Sequence, residues 1–133
     1  MDAKTVLLVD DDLDFLAQHK LHLEEAGYKV LTAESQRQAE ETLKKNHVDL
    51  AIVDLMLEHA DAGFALCYHI KKHRAATPVI LVTSVNSQTG LEFDAATREE
   101  RSWVKADVMI AKPVRFEQLQ REMERLLAAA AAA

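Results

Sequence analysis

Short apolar runs recur along the chain, and most of them stop at a polar residue. Thr5-Val6-Leu7-Leu8-Val9 is rich in β-branched side chains and ends at Asp10-Asp11-Asp12. Tyr28 to Thr32 forms a second run. Leu50-Ala51-Ile52-Val53-Asp54-Leu55-Met56-Leu57 is a third, with one carboxylate inside it. Val79-Ile80-Leu81-Val82 follows Pro78 and ends at Thr83-Ser84, and Val108-Met109-Ile110 ends shortly before Lys112-Pro113. Runs without polar alternation predict strands covered on both faces, as in a parallel sheet flanked by helices. The intervening segments have helical spacing. Leu13, Leu16, Leu23 and Ala26 share one stripe, and Gly27 closes that helix. Ser35 can cap a helix running to about Asn46, with Ala39 and Leu43 inward. Gly63 to about His73 predicts another, with Phe64, Cys67 and Ile70 inward, and Phe116, Leu119, Met123 and Leu126 stripe a last one. The polar stretch from Val85 to about Lys105 predicts partial helix over Ala95 to Val104. Five strands alternating with helices imply an α/β fold: a doubly wound, five-stranded parallel sheet with helices on both faces.

A lone acid at a strand end is ordinary turn or capping chemistry. Here four polar signals fall just past strand ends: Asp10-Asp11, Asp54, Thr83-Ser84 and Lys112. The carboxyl ends of parallel strands share one edge, where open α/β sheets bind ligands. Convergence of this kind favours a functional site. Three crowded carboxylates repel one another, and a hard cation such as Mg²⁺ offsets that repulsion through oxygen ligands. Mg²⁺ commonly takes one or two carboxylates and keeps positions for water and a phosphoryl oxygen. A carboxylate is then left to act as nucleophile, with Lys112 as a point charge and Thr83 as a hydroxyl donor. Such a set suits phosphoryl transfer onto an aspartate.

Composition narrows the class further. The 133 residues suit one domain with a real core, and 49% apolar with 29% charged residues describes a globular chain. A net charge of -6 with no basic stripe argues against nucleic-acid binding by this segment. One cysteine, Cys67, permits no internal disulfide and fits a reducing cytoplasm. Met1-Asp2-Ala3-Lys4 lacks signal-peptide features, and no apolar run approaches the ~20 residues of a membrane span. The fold is assigned to residues 4–127, with the alanine run 128–133 set aside.

The ordered set Val9-Asp10-Asp11, Val53-Asp54, Val82-Thr83 and Lys112-Pro113 resembles the receiver domains of two-component response regulators, over Val6 to about Leu127. The resemblance implies a flavodoxin-like sheet of order 2-1-3-4-5. It implies that Asp54 accepts phosphate from a sensor histidine kinase or phosphotransfer protein. It casts Asp10, Asp11 and Asp54 as Mg²⁺ ligands together with the main-chain carbonyl of Met56, and Thr83 and Lys112 as the groups that bind phosphoryl oxygens. A signalling switch that catalyses its own phosphorylation follows, with an output domain or partner protein and room for a homodimer through the last helix. The alternative is a non-phosphorylated protein-binding module of the same fold. A third reading, a Mg²⁺-dependent phosphohydrolase with an amino-terminal aspartate nucleophile, lacks the cap or longer core such enzymes carry.

The chain departs from the family at several points. Met109 stands three residues before the lysine, where the family usually has an aromatic ring. Glu58 replaces a usual proline, and Gly63 comes one residue late. The Thr83–Lys112 spacing is longer by about two helical turns' worth of residues. The extra chain holds Phe93 and Trp103, and reads either as a surface insertion or as an altered signalling face. Met56 and Val85 occupy positions that flank the attacking water in the family. Both are apolar, which implies slow loss of phosphate. Asp10-x-Asp12-x-Asp14 is no calcium loop, because Phe15 and Leu21 stand where glycine and glutamate are required. Asp12 and Asp14 instead suit a helix amino end. His69 and His73 read as solvent-facing, His19 as bordering the core, His22 and His47 as surface residues, and Cys67 as a small core residue.

Overall fold

The computed structural model describes residues 3–54, 62–83 and 107–132. Five strands, β1 (Thr5–Val9), β2 (Lys29–Ala33), β3 (Leu50–Asp54), β4 (Val79–Thr83) and β5 (Val108–Ala111), form one parallel sheet. Their order is β2-β1-β3-β4-β5. The described helices are α1 (Leu13–Glu25), α2 (Gln36–Lys45), α3 (Ala62–His73) and α4 (Phe116–Ala132).

Strand alternation divides the core in two. Val6, Leu8, Ile52, Val82 and Ile110 pack with Leu16 and Leu23 of α1 and Leu119 and Met123 of α4. Leu7, Val9, Val53 and Leu81 pack with Ala39 and Leu43 of α2 and Leu66, Cys67 and Ile70 of α3. Both faces of β1, β3 and β4 are therefore buried, which is why those runs are continuously apolar. Burial in this core pushes the Cys67 thiol up to about 12, so it remains a protonated apolar side chain.

Two predicted boundaries move. Ala26 is the exposed C-cap of α1, and Leu13 at its start is 62% exposed, so the inner stripe is carried by Leu16 and Leu23. Gly27 takes φ +100, and the N–H groups of Gly27 and Tyr28 close on the carbonyls of Glu24 and Leu23 at 3.0 Å each. Tyr28 thus belongs to the helix cap, and β2 begins at Lys29. At the other end of the chain, the alanine run continues α4 to Ala132, in keeping with alanine's helix propensity.

Side chains align the amino-terminal edge of the sheet. Asp49 Oδ2 accepts the Thr5 N–H at 2.8 Å, and the Asp49 N–H donates to Thr5 O. Asp107 Oδ2 accepts the Val79 N–H at 2.8 Å and pairs with Lys71 Nζ at 2.7 Å. The Arg74 guanidinium donates to the carbonyls of Leu43 and Asn46, satisfying the carboxyl end of α2. No helix among the described residues is long and apolar enough to cross a membrane.

Ile52 lies at the centre of the sheet and is 1% exposed. Ile52→Ala is expected to cost about 2–5 kcal/mol in chemical denaturation, against less than about 0.5 kcal/mol for the exposed Lys20→Ala. A loss below about 1 kcal/mol at Ile52 would contradict this packing.

Candidate functional site at the carboxyl edge of the sheet

Because the strands are parallel, their carboxyl ends deliver side chains to one edge. The Asp10 N–H donates to Ala33 O at 3.1 Å, extending the β1–β2 ladder by one residue. The three consecutive acids then separate. Asp10 is fully buried, and its Oδ1 accepts the Asp12 N–H at 2.9 Å. Asp11 is exposed. Asp12 caps α1 by accepting the N–H groups of Asp14 and Phe15 at 3.0 and 3.3 Å, and Asp14 lies in the first turn.

Asp54 is the last residue of β3, beside Val82, and is 4% exposed. One carboxylate oxygen from each of Asp10, Asp11 and Asp54 lies within 4.8 Å of the others. Among the described residues this is the only group of three or more His, Cys, Asp or Glu gathered so closely. Lys112 enters from just past β5, where its N–H donates to Thr83 O at 2.8 Å. Its Nζ lies 3.0 Å from Asp10 Oδ2, 3.9 Å from Asp54 Oδ2 and 4.6 Å from the centroid of the Phe15 ring. The Lys112–Pro113 peptide is cis. Thr83 is buried at the end of β4, opposite Ala111. Strand alternation puts it on the α2/α3 face, the face on which Met109 packs against the core.

Among the described residues, three formal negative charges thus face one positive charge, an excess of two, which is the charge of a divalent cation. All the side-chain donors are oxygens, as Mg²⁺ requires. Oxygens on one octahedral Mg²⁺ sit roughly 3 Å apart when adjacent and 4.2 Å when opposed. The three oxygens, spread over no more than 4.8 Å, would draw closer together to hold the ion. Met56, whose carbonyl is a candidate further ligand, lies outside the described residues, as do Glu58, Val85, Phe93 and Trp103.

Two of the histidines, His69 and His22, are less peripheral than the sequence suggests. His69 is half-buried and pairs through Nδ1 with Glu40 Oε1 at 3.2 Å, joining α3 to α2. His73 is exposed, with its ring 4.7 Å from that of His69. His22 is half-buried and stacks on Phe116 at 5.2 Å. His19 is buried, 4.2 Å from the Phe15 ring, and its Nδ1 has no hydrogen-bond partner among the described residues. Phe15 borders the site without belonging to any of the polar signals at the strand ends. Its signal is its place in the first turn of α1, four residues beyond Asp11.

A model of the response regulator receiver domain matches residues 6–124. The heme response regulator HssR of Staphylococcus haemolyticus is 35% identical over 114 residues, covering 85% of this chain and 46% of that protein. The transcriptional regulatory protein ZraR of Escherichia coli is 32% identical over 123 residues, covering 92% of this chain and 26% of that protein. The chain spans less than half the length of these curated relatives. A CheY-like receiver domain protein from Methanospirillum hungatei superposes with TM-score 0.83 at 26% identity, covering 98% of each chain. The response regulator TrrA of Thermotoga maritima, in complex with Mg²⁺ and BeF, superposes with TM-score 0.75 at 27% identity, covering 92% of this chain and 98% of that one.

Burial, reinforced by the neighbouring charges of His22 and Lys112, holds the His19 imidazole below its ordinary 6.5, with Asp10 opposing. The unfolded chain therefore takes up this proton at a higher pH than the folded protein does. The stability linked to His19 is complete above 6.5 and is lost as pH falls through 6.5 toward the lower folded value. Wild type is expected to lose stability relative to His19→Leu between pH 7.5 and 5.5, as measured by denaturation at each pH. A gap that does not change with pH would contradict the burial of this imidazole.

Proposed function

Because the chain belongs to the response regulator receiver domain family, we propose that Asp54 takes up the phosphoryl group and that Asp10, Asp11 and Asp54, with the Met56 carbonyl, hold the Mg²⁺ needed for transfer. The observation that carries this reading is the burial of Asp54 beside two further carboxylates and the Lys112 ammonium. A carboxylate so placed is shielded from bulk water and faces a positive charge. An Asp54 oxygen attacks phosphorus in line with the bond to the donor nitrogen. The new P–O bond makes an acyl phosphate as the P–N bond breaks and the imidazole departs. Bound Mg²⁺ supplies charge that lets an anionic nucleophile meet an anionic donor. Lys112 holds one phosphoryl oxygen as a point charge, and the Thr83 hydroxyl donates to another.

A member of this family acts in two-component signalling, with a histidine kinase as its partner. The donor here is a phosphohistidine on a sensor kinase or phosphotransfer protein, and the protein works in the cytoplasm. The relatives HssR and ZraR are regulators more than twice as long as the matched segment. An output carried by further chain or by a separate partner fits this, and this acidic domain itself does not contact nucleic acid.

Incubation with acetyl phosphate or phosphoramidate and Mg²⁺ is expected to add one phosphate, detected by intact mass. The adduct should be lost in Asp54→Asn and on chelation of Mg²⁺. No adduct on wild type supports a non-phosphorylated binding module. Turnover of the donor that depends on Asp10 but not Asp54 supports a hydrolase.

Loss of the adduct is slow, because Met56 and Val85 cannot orient a water. Met56→Asn combined with Val85→Glu is expected to speed the decay of the phosphorylated protein, followed by the same mass measurement. An unchanged decay rate would remove this explanation for a long-lived state.

A further inference from the structure

We propose that Phe15 is a positioning residue of this site, its ring holding the Lys112 ammonium beside Asp10 and Asp54. The inference rests on the assignment of Asp54 and Lys112 made above. A lysine side chain is long and loses substantial rotamer freedom when fixed. Here the main chain of Lys112 is tied to Thr83 O, while its side chain is still 22% exposed. Something must keep the ammonium at the carboxylates rather than in water. Asp10 does so at 3.0 Å, and among the described residues the Phe15 ring, 4.6 Å away, stands beside it together with Asp54. That distance lies within the ~6 Å over which a ring face attracts a cation.

The ring is itself well fixed. The Phe15 N–H donates to the capping carboxylate of Asp12 at 3.3 Å. Its side chain packs against the α1/α4 core, and the buried His19 ring lies 4.2 Å from it. Helix cap, core and His19 therefore set where the ring stands, and the ring sets one boundary of the space open to Lys112.

The two holds on Lys112 answer differently to a cation. A divalent ion among the carboxylates draws on the negative charge that attracts the lysine, so the pull of Asp10 weakens. The ring's quadrupole is unchanged by that neutralisation. Phe15 thus matters most in the loaded site, where the ammonium must stay close enough to meet a phosphoryl oxygen. Leucine at this position would fill much of the same apolar volume but offer no negative face.

The test compares Phe15→Leu and Phe15→Tyr with wild type in Mg²⁺. Acetyl phosphate gives the rate of adduct formation by intact mass. Beryllofluoride gives the affinity of the site by ¹⁹F NMR, with thermal melting run alongside. Phe15→Leu is expected to lower both the rate and the beryllofluoride affinity about two- to fivefold, the equivalent of about 0.5–1 kcal/mol. Phe15→Tyr should restore both to near wild type. Equal losses in Leu and Tyr variants that track their melting temperatures would reduce Phe15 to packing and overturn the inference. So would a Phe15→Leu protein that behaves as wild type. The two readings fail separately. No adduct on wild type removes the Asp54 assignment, and this inference with it. An adduct on wild type with an unchanged Phe15→Leu removes this inference alone.

Discussion

Repulsion among like charges at one edge of the sheet is the constraint around which this fold is arranged. Asp10 and Asp54 are buried at the ends of adjacent strands, and Asp11 stands beside them. Buried carboxylates are costly, and their pairing with a lysine only partly offsets the loss of water. Replacing such a group with apolar residues is often neutral or stabilising. Its presence at the mouth of an otherwise apolar core therefore argues for use rather than for stability. The compensation comes from Lys112, which reaches Asp10 across 102 residues of sequence. That contact exists only because β5 pairs with β4 and brings Lys112 back to Thr83.

The opposite edge has the complementary task. Asp49 against Thr5, and Asp107 against Val79 and Lys71, pin strand beginnings to one another. For Asp49, burial works against the charged form. The Thr5 N–H and His47 outweigh it and hold the carboxyl below its ordinary value. Acids thus occur at both ends of the sheet with different partners. At the amino-terminal edge Asp49 and Asp107 accept main-chain N–H groups and fix register. At the carboxyl edge the described cluster keeps an excess of negative charge, which sets the two edges of the sheet apart.

Much of this could be read from the sequence, for a specific reason. β1, β3 and β4 are covered on both faces, so their runs are almost wholly apolar, with β1 and β4 stopping at Asp10 and Thr83 and β3 marked by the single carboxylate of Asp54. The strand ends at which the polar side chains gather are for that reason conspicuous in the sequence. Features set by backbone bonding or by contacts between distant segments were harder to see. Tyr28 looks like strand, yet its N–H closes the cap of α1. His69 has the look of a surface residue until α2 brings Glu40 to it. His19 and Phe15 sit one helical turn apart, and nothing in their local pattern says that Lys112 will come to rest over the ring.

The two faces of the sheet meet the site in different ways. Asp10 and Phe15 reach it from β1 and α1, where core packing and a helix cap leave little freedom. Thr83 lies on the α2/α3 face, shared with Met109, and is joined to Lys112 through the main chain at the β4–β5 edge. A rigid aromatic ring at position 109 would have few discrete places to sit, and moving it would require a matching void. Methionine has three rotatable bonds and fills irregular space with little cost. The groups around Lys112 on the α1 side are the more firmly held, because Phe15 is fixed by the Asp12 cap, the core and the buried His19 ring.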